Sequence, residues 1–286
     1  MTLPDPIILQ APVGSTVHGL HITGEDDRDE MGIYLNSHAA TLGFDPGPET
    51  IVERTATTRT GRADARSEPG DLDLVLHSLR KFLRLALAGN PTILMLLFAK
   101  EDVVMDARGS QLLELTPDIV SRQAGPKFVG YLKKQRERLI GDRGRMRVNR
   151  PELIAKYGYD TKYAMHMLRL GYQGVELLET GHLALPMPEP SRTFLREVRQ
   201  GHIKLQDALH LADTLTKRIE KLQDSSPLPL TPDSAKVQDW MLAVYLEHWK
   251  AHAFDRKVAQ HVENQGSQGQ APRDPQGEPA ETSRHF

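Results

Sequence analysis

The sequence predicts an α+β fold, strand-bearing in its first third and mainly helical thereafter, and three observations carry that expectation. Short apolar runs of strand length, IILQAPV at 7–13 and MGIYL at 31–35, are set off by Gly- and Asp-containing stretches. In DLDLVLHSLRKFLRLALAGNP, 71–91, an alternation of period two gives way to helical spacing within a single run. From Gly125 to about Leu222 the apolar residues recur at predominantly helical intervals.

The elements follow in order. After the first strand, Gly14-Ser15 punctuates the chain before a turn or helical segment, and the second strand begins at Met31. Residues 43–70 mix Pro, Gly, Thr and alternating charge with no apolar period, which predicts a long irregular surface insertion or hairpin. Asp71, Asp73 and Val75 then alternate with Leu72, Leu74 and Leu76, and Leu79, Phe82, Leu83, Ala86 and Leu87 continue at helical spacing. Ser78 is placed to cap that helix, and Gly89 with Pro91 to stop it. TILMLLF, 92–98, is short enough for strand or helix, and helix is the preferred reading.

Further helices are expected near 125–140, 150–156, 160–180, 191–199, 201–223 and from 232–233 to 262, the last burying Trp240, Val244 and Leu246. Trp240, Tyr245 and Trp249 suit base stacking in principle, but a helix needs an apolar face and packing is the better account. Residues 263–286, rich in Gln, Gly, Pro and charge, read as a disordered tail. The expected division is a domain at 1–110 carrying the chemistry, a helical domain at 111–262, and the tail.

Composition narrows the classes. No cysteine occurs in the 286 residues, which excludes a disulfide framework, thiolate-bound zinc, iron–sulfur clusters and a cysteine nucleophile. No apolar run approaches the roughly 20 residues of a membrane span, and MTLPDPIILQ lacks the pattern of a secretory leader. A cytoplasmic enzyme or soluble binding module is expected. Lys and Arg number 36 against 38 Asp and Glu, yet the charge is segregated. Residues 122–150 hold ten Lys/Arg (Arg122, Lys127, Lys133, Lys134, Arg136, Arg138, Arg143, Arg145, Arg147 and Arg150) against two acids, a net charge of about +8. A solvated helix and loop would explain it, as would a surface for phosphate backbones.

The chemistry concentrates in APVGSTVHGLHITGEDDRDEMGIYL. Gly14 and Ser15, directly after a strand, can bring backbone N–H groups and a hydroxyl against phosphate oxygens. Asp27 and Asp29, two apart, point to one side of an extended segment and suit a hard divalent cation. Asp73, just before the strand-to-helix transition, is the expected third carboxylate, with Asp71 on the same face as the alternative. Three such groups can hold two metal ions, which activate a hydroxyl and neutralise charge on a transferred phosphate.

Three signatures stand together: Gly14-Ser15, Gly19, Asp27, Asp29 and Gly32; DLVLHSLRKFLRLALAGNP at 73–91; and KYGYDTKYAMHMLRLGYQGVELLETG at 156–181. With them the sequence resembles the DNA-polymerase-beta-like nucleotidyltransferase superfamily over roughly 7–182, in its predicted RNA-repair-pathway (YcgL-like) branch. The resemblance implies a small mixed nucleotidyltransferase sheet with flanking helices, followed by a mainly helical domain. It implies that Gly14 and Ser15 contact the nucleotide phosphates, that Asp27 and Asp29 ligate Mg²⁺ (or Mn²⁺), and that Asp73 completes the site. It also implies an RNA acceptor for a nucleotide taken from an NTP. Asp26 stands where the family carries a small hydroxylated residue, and Met95 where an acid is expected.

Lys162, His166 and Arg169 fall on one helical face, as expected of triphosphate contacts, or of a polar seam with Asp160 and Glu176. Lys81 reads as a surface cation or salt-bridge partner in preference to a phosphate ligand, and His18 as a packing residue in preference to a substrate contact. Transfer to a protein or small-molecule hydroxyl, and a non-catalytic RNA-binding or toxin–antitoxin module, are the other readings. The sequence leaves oligomeric state open.

Overall fold

The computed structural model describes residues 6–20, 28–62, 68, 70–141 and 150–268, with side chains as far as residue 251. Its sheet is mixed and five-stranded. The strands are β1 (Ile7–Pro12), β2 (Arg28–Tyr34), β3 (Thr50–Arg54), β4 (Leu72–Ser78) and β5 (Val104–Met105), ordered β3-β4-β2-β1-β5. Only β2 and β4 run parallel; the other three pairings are antiparallel. The helices between them are α1 (Gly14–Val17), α2 (His38–Leu42), α3 (Thr55–Thr60), α4 (Leu79–Leu87) and α5 (Pro91–Leu94), with a 3₁₀ turn over Met95–Phe98. A mainly helical part follows: α6 (Ala107–Glu114), α7 (Thr116–Ile119), α8 (Ala124–Ile140), α9 (Pro151–Tyr157), α10 (Thr161–Thr180), α11 (Ser191–Arg199), α12 (Leu205–Ser225) and α13 (Ser234–Gln268).

The period-two pattern fixes which face each residue takes. Leu74, Leu76, Tyr34 and Ile51 form a buried cluster on one face, with Ile7 and Leu72 packed against it. By parity Asp29 and Asp73 belong to the other face. Ser78 ends β4 and caps α4, its hydroxyl accepting from Lys81 N at 3.4 Å. Asn90 caps α5 ahead of Pro91, as the GNP stop requires. TILMLLF is therefore helical, tightening to 3₁₀ from Met95.

In the helical part α10 is the central element, packed against α8 and α12. Two glycines permit the close approach: a Cβ on Gly171 would stand 2.8 Å from Leu215 Cδ1, and one on Gly174 2.7 Å from Ile219 Cδ1 and 3.0 Å from Phe128 Cβ. Among the described residues no single helix is long and apolar enough to cross a membrane.

Three expectations need revising. Residues 43–70 are not wholly irregular, because β3 pairs with β4 along its length as an edge strand. Its residues show little apolar alternation because only Ile51 is buried and Val52 is 55% exposed. In α13, Val244 is buried as expected but Leu246 is 53% exposed. The helix runs to Gln268, six residues into the segment read as a tail, and residues 269–286 lie outside the described ones.

The chain groups into two compact units, Met1–Val244 and Tyr245–Phe286. In the first, Trp240 Nε1 donates to Gln111 Oε1 at 3.2 Å. In the second, the Tyr245 and Trp249 rings lie 5.2 Å apart.

Candidate active site

The carboxylates gather at one end of the sheet because of its topology. β1 runs towards that end, while β2 and β4 start from it side by side. The register of the parallel pair sets Asp29 directly opposite Asp73, at the strand spacing of about 4.8 Å. Val13 N donates to Asp29 O at 2.9 Å, so the loop leaving β1 begins alongside the first carboxylate. Gly14 then takes φ +72°, and a Cβ there would collide with Asp29 Oδ2. Both the left-handed backbone and the close approach demand glycine. Ser15 is half-buried in the helical turn that follows. Asp27 lies outside the described residues.

Two carboxylates side by side repel unless a cation attends them. Asp73 has one: Arg54, from the end of β3, donates to its Oδ2 through Nη2 at 2.9 Å and Nε at 3.2 Å. Asp71 is engaged elsewhere. It accepts Glu68 N at 2.8 Å and pairs with Arg59 at 3.0 Å, and these contacts, Glu68 N–H foremost, hold its carboxyl below the ordinary range. Of the two aspartates the sequence offered, Asp73 is therefore in register with Asp29 and Asp71 buckles the preceding turn.

Helix α10 brings the cations. Asp160 caps it, accepting Lys162 N at 3.0 Å and Tyr163 N at 3.1 Å, and pairs with Arg150 at 3.0 Å. Lys162, His166, Arg169 and Gln173 share one stripe. Burial, and then the charges of Arg169, Lys162, Arg150 and Arg199, push His166 well below the ordinary histidine value, so it is neutral at pH 7. Arg169 is lowered by burial to about 10, with Asp29 acting against that fall, and stays charged. Its Nη1 meets His18 Nε2 and lies 3.7 Å from Met95 Sδ, so the thioether faces the guanidinium where an acid was expected. The structure thus brings Arg169 close to Asp29 and the Gly14 loop.

Lys81 serves another place. It donates to Thr50 Oγ1 at 2.5 Å. The strand partner of Thr50 is His77, four residues or about 13 Å along β4 from Asp73.

The basic segment is thinner than its composition. Arg122 donates to the carbonyls of Gln223, Asp224, Ser226 and Leu228, closing the C-terminal end of α12. Arg136 pairs with Asp213, and Arg150 with Asp160. Lys127, Lys133, Lys134 and Arg138 are exposed on α8, whereas Arg143, Arg145 and Arg147 lie outside the described residues.

Arg54 of β3 and Gln173 of α10 are two described residues at this end that the sequence did not nominate. Gln173 was findable, being one more step along the Lys162–His166–Arg169 stripe. Arg54 was not, because its edge strand carries no period.

A family model decides what this constellation belongs to. The model of RlaP, the RNA repair pathway DNA polymerase beta family, matches residues 3–260. The chain belongs to that family. It is accordingly a nucleotidyltransferase, and the RlaP branch is the one its three signatures resemble. No curated protein matches it. Among solved structures, a nucleotidyltransferase-like protein from Exiguobacterium sibiricum 255-15 is similar at 16% identity over 77% of this chain and 70% of that one, with a TM-score of 0.27.

Proposed function

We propose that this RlaP-family enzyme transfers a nucleoside monophosphate from an NTP to an RNA hydroxyl, as in repair or end processing. The acceptor oxygen bonds to the α-phosphorus, the bond from that phosphorus to the bridging oxygen breaks, and pyrophosphate leaves. The observation that carries the reading is the abutment of the Gly14 backbone on Asp29, itself in register with Asp73. A phosphate cradled by that loop would lie beside two carboxylates.

Those carboxylates fit a hard divalent ion, with Asp29 and Asp73 as ligands and Asp27 as the third. Among the described residues no group of three His, Asp or Glu gathers for a metal, and Asp27 lies outside them. Bound there, Mg²⁺ would neutralise phosphate charge and favour the ionised acceptor. The chain's own groups do the rest: Gly14 and Ser15 hold phosphate oxygens, Lys162 offers charge, and neutral His166 offers a hydrogen bond. Arg169 adds its charge from beside Asp29. In this reading 1–110 is the catalytic domain, 111–262 the substrate-binding domain, and Lys127, Lys133, Lys134 and Arg138 meet the acceptor backbone.

Incubation with labelled NTPs, Mg²⁺ and RNA tests it: label should pass to RNA and be lost in D29N and D73N. Transfer to a protein or small-molecule hydroxyl is the second reading, favoured by the internal commitment of Arg122, Arg136 and Arg150. Neutralising the four α8 cations would then leave transfer to the preferred acceptor unchanged.

A further inference from the structure

The loop that follows β1 is gripped from the helical part at three consecutive sites. Arg169 and Gln173 of α10 reach the His18 ring, at Nε2 and Nδ1 respectively, the latter at 3.4 Å. Met187 N donates to His18 O at 3.3 Å. Arg196 of α11 donates to Gly19 O at 2.7 Å, and Arg192 of the same helix packs where a Gly19 Cβ would be, its Cδ 3.0 Å from that point.

The chemistry of the grip has one polarity. Arginine only donates, so His18 Nε2 must offer its lone pair, which leaves the proton on Nδ1. A protonated Nδ1 needs an acceptor, whereas the Gln173 amide stands with its Nε2 at 3.4 Å, so the polarity requires the amide exchanged end for end, with Oε1 towards the ring. The result is a directed chain, Arg169 N–H to His18 and His18 N–H to Gln173, with a neutral imidazole in the middle. His18 is fully buried. Burial foremost, and then the Arg169 and His166 charges, disfavour its protonation.

Resting on the proposed function of the Gly14–Leu20 loop, we infer that His18, Arg169, Gln173 and Arg196 are positioning residues, a latch by which the helical part fixes that loop against Asp29. Arg169 therefore acts through His18 and through its charge on Asp29. His18, ambiguous in sequence, is the pivot and touches no substrate. The latch acts on alignment of the transferring phosphate, so its loss lowers kcat more than it raises KM for the nucleotide.

The test pairs two readouts on the full chain. Steady-state transfer is measured for wild type, H18L, H18Q and R196A, and amide hydrogen exchange is followed over residues 13–20. Glutamine can still accept from Arg169, so H18Q should keep kcat within about threefold of wild type, whereas H18L loses roughly 10- to 100-fold. Exchange over the loop should quicken in H18L and R196A while the sheet strands stay protected. Arg196 is exposed whereas His18 is fully buried, so R196A decides the matter if H18L does not fold. Unchanged loop exchange in R196A would overturn the latch. So would equal loss of kcat in H18Q and H18L, the mark of an ordinary core histidine. If wild type transfers nothing from any NTP to any acceptor, the proposed function fails, and the exchange data still judge the latch.

Discussion

At the scale of single residues, the site turns on how two carboxylates are held side by side. Asp29 has the Gly14 backbone against it and Arg169 nearby, and Asp73 has Arg54. If Asp73 ligates Mg²⁺ as proposed, Arg54 competes with the ion for it, and its removal has a definite sign: R54A should lower the Mg²⁺ concentration giving half-maximal transfer several-fold, read from a magnesium titration at saturating NTP. No shift, or a shift upward, would show that Arg54 does not hold Asp73 against the metal. Gly14→Ala adds a methyl that would collide with Asp29 Oδ2, at a positive φ. We expect transfer to fall by roughly 10²-fold or more, the cost of a misplaced reacting group, with the far-ultraviolet circular dichroism of the wild type retained. The sheet face of Asp29 and Asp73 was legible in sequence because strand parity assigns it, whereas their alignment across the parallel pair was not, since Asp71 has the same parity. Arg54 was not, since a solvent-edge strand has no reason to alternate.

At the scale of elements, α10 links the helical packing to the chemistry. Gly171 and Gly174 let it lie close to α12 and α8, while its other stripe carries Lys162, His166, Arg169 and Gln173. Its dependence on pH has a clear sign. His18 and His166 both titrate well below the ordinary 6.5, so below that pH the unfolded chain takes up protons that the folded one refuses. Stability should therefore hold above about pH 6.5 and fall as pH drops, with a limiting slope near roughly 1.4 kcal/mol per pH unit for each histidine. Urea unfolding between about pH 5 and 7.5 measures it, and H166Q should flatten the slope. A second prediction at this scale concerns Arg122, whose guanidinium serves four carbonyls beyond and at the end of α12. R122A should cost roughly 2–4 kcal/mol, the scale of several charge-assisted hydrogen bonds left unmade, and leave RNA affinity nearly unchanged. The helices themselves were readable from period and, at α4, from the Ser78 cap. The duty of Arg122 was not, because its partners are about a hundred residues away.

At the scale of the whole molecule, the near balance of 36 basic against 38 acidic residues conceals two separate uses of charge. Part of the basic segment stabilises the fold, and Lys127, Lys133, Lys134 and Arg138 stand on the exposed side of α8. If those four meet RNA phosphates, replacing all of them by Gln should reduce the slope of log affinity against log salt by up to about 3, near 0.7 for each phosphate of a single strand that is no longer neutralised. Family membership and the mixed sheet were legible from three short signatures. The grip of the helical part on the Gly14–Leu20 loop was not, because it joins residues some 150 positions apart. Nucleotidyl transfer to RNA from a site built on Asp29 and Asp73 is tested most directly by incubating wild type and the D29N and D73N variants with each labelled NTP and Mg²⁺ in the presence of RNA, DNA and protein acceptors. Label should appear on RNA with pyrophosphate released in equal amount, and both should be lost in either variant. Label on RNA that persists undiminished in D29N and D73N, or appears only on protein, would rule that site and acceptor out.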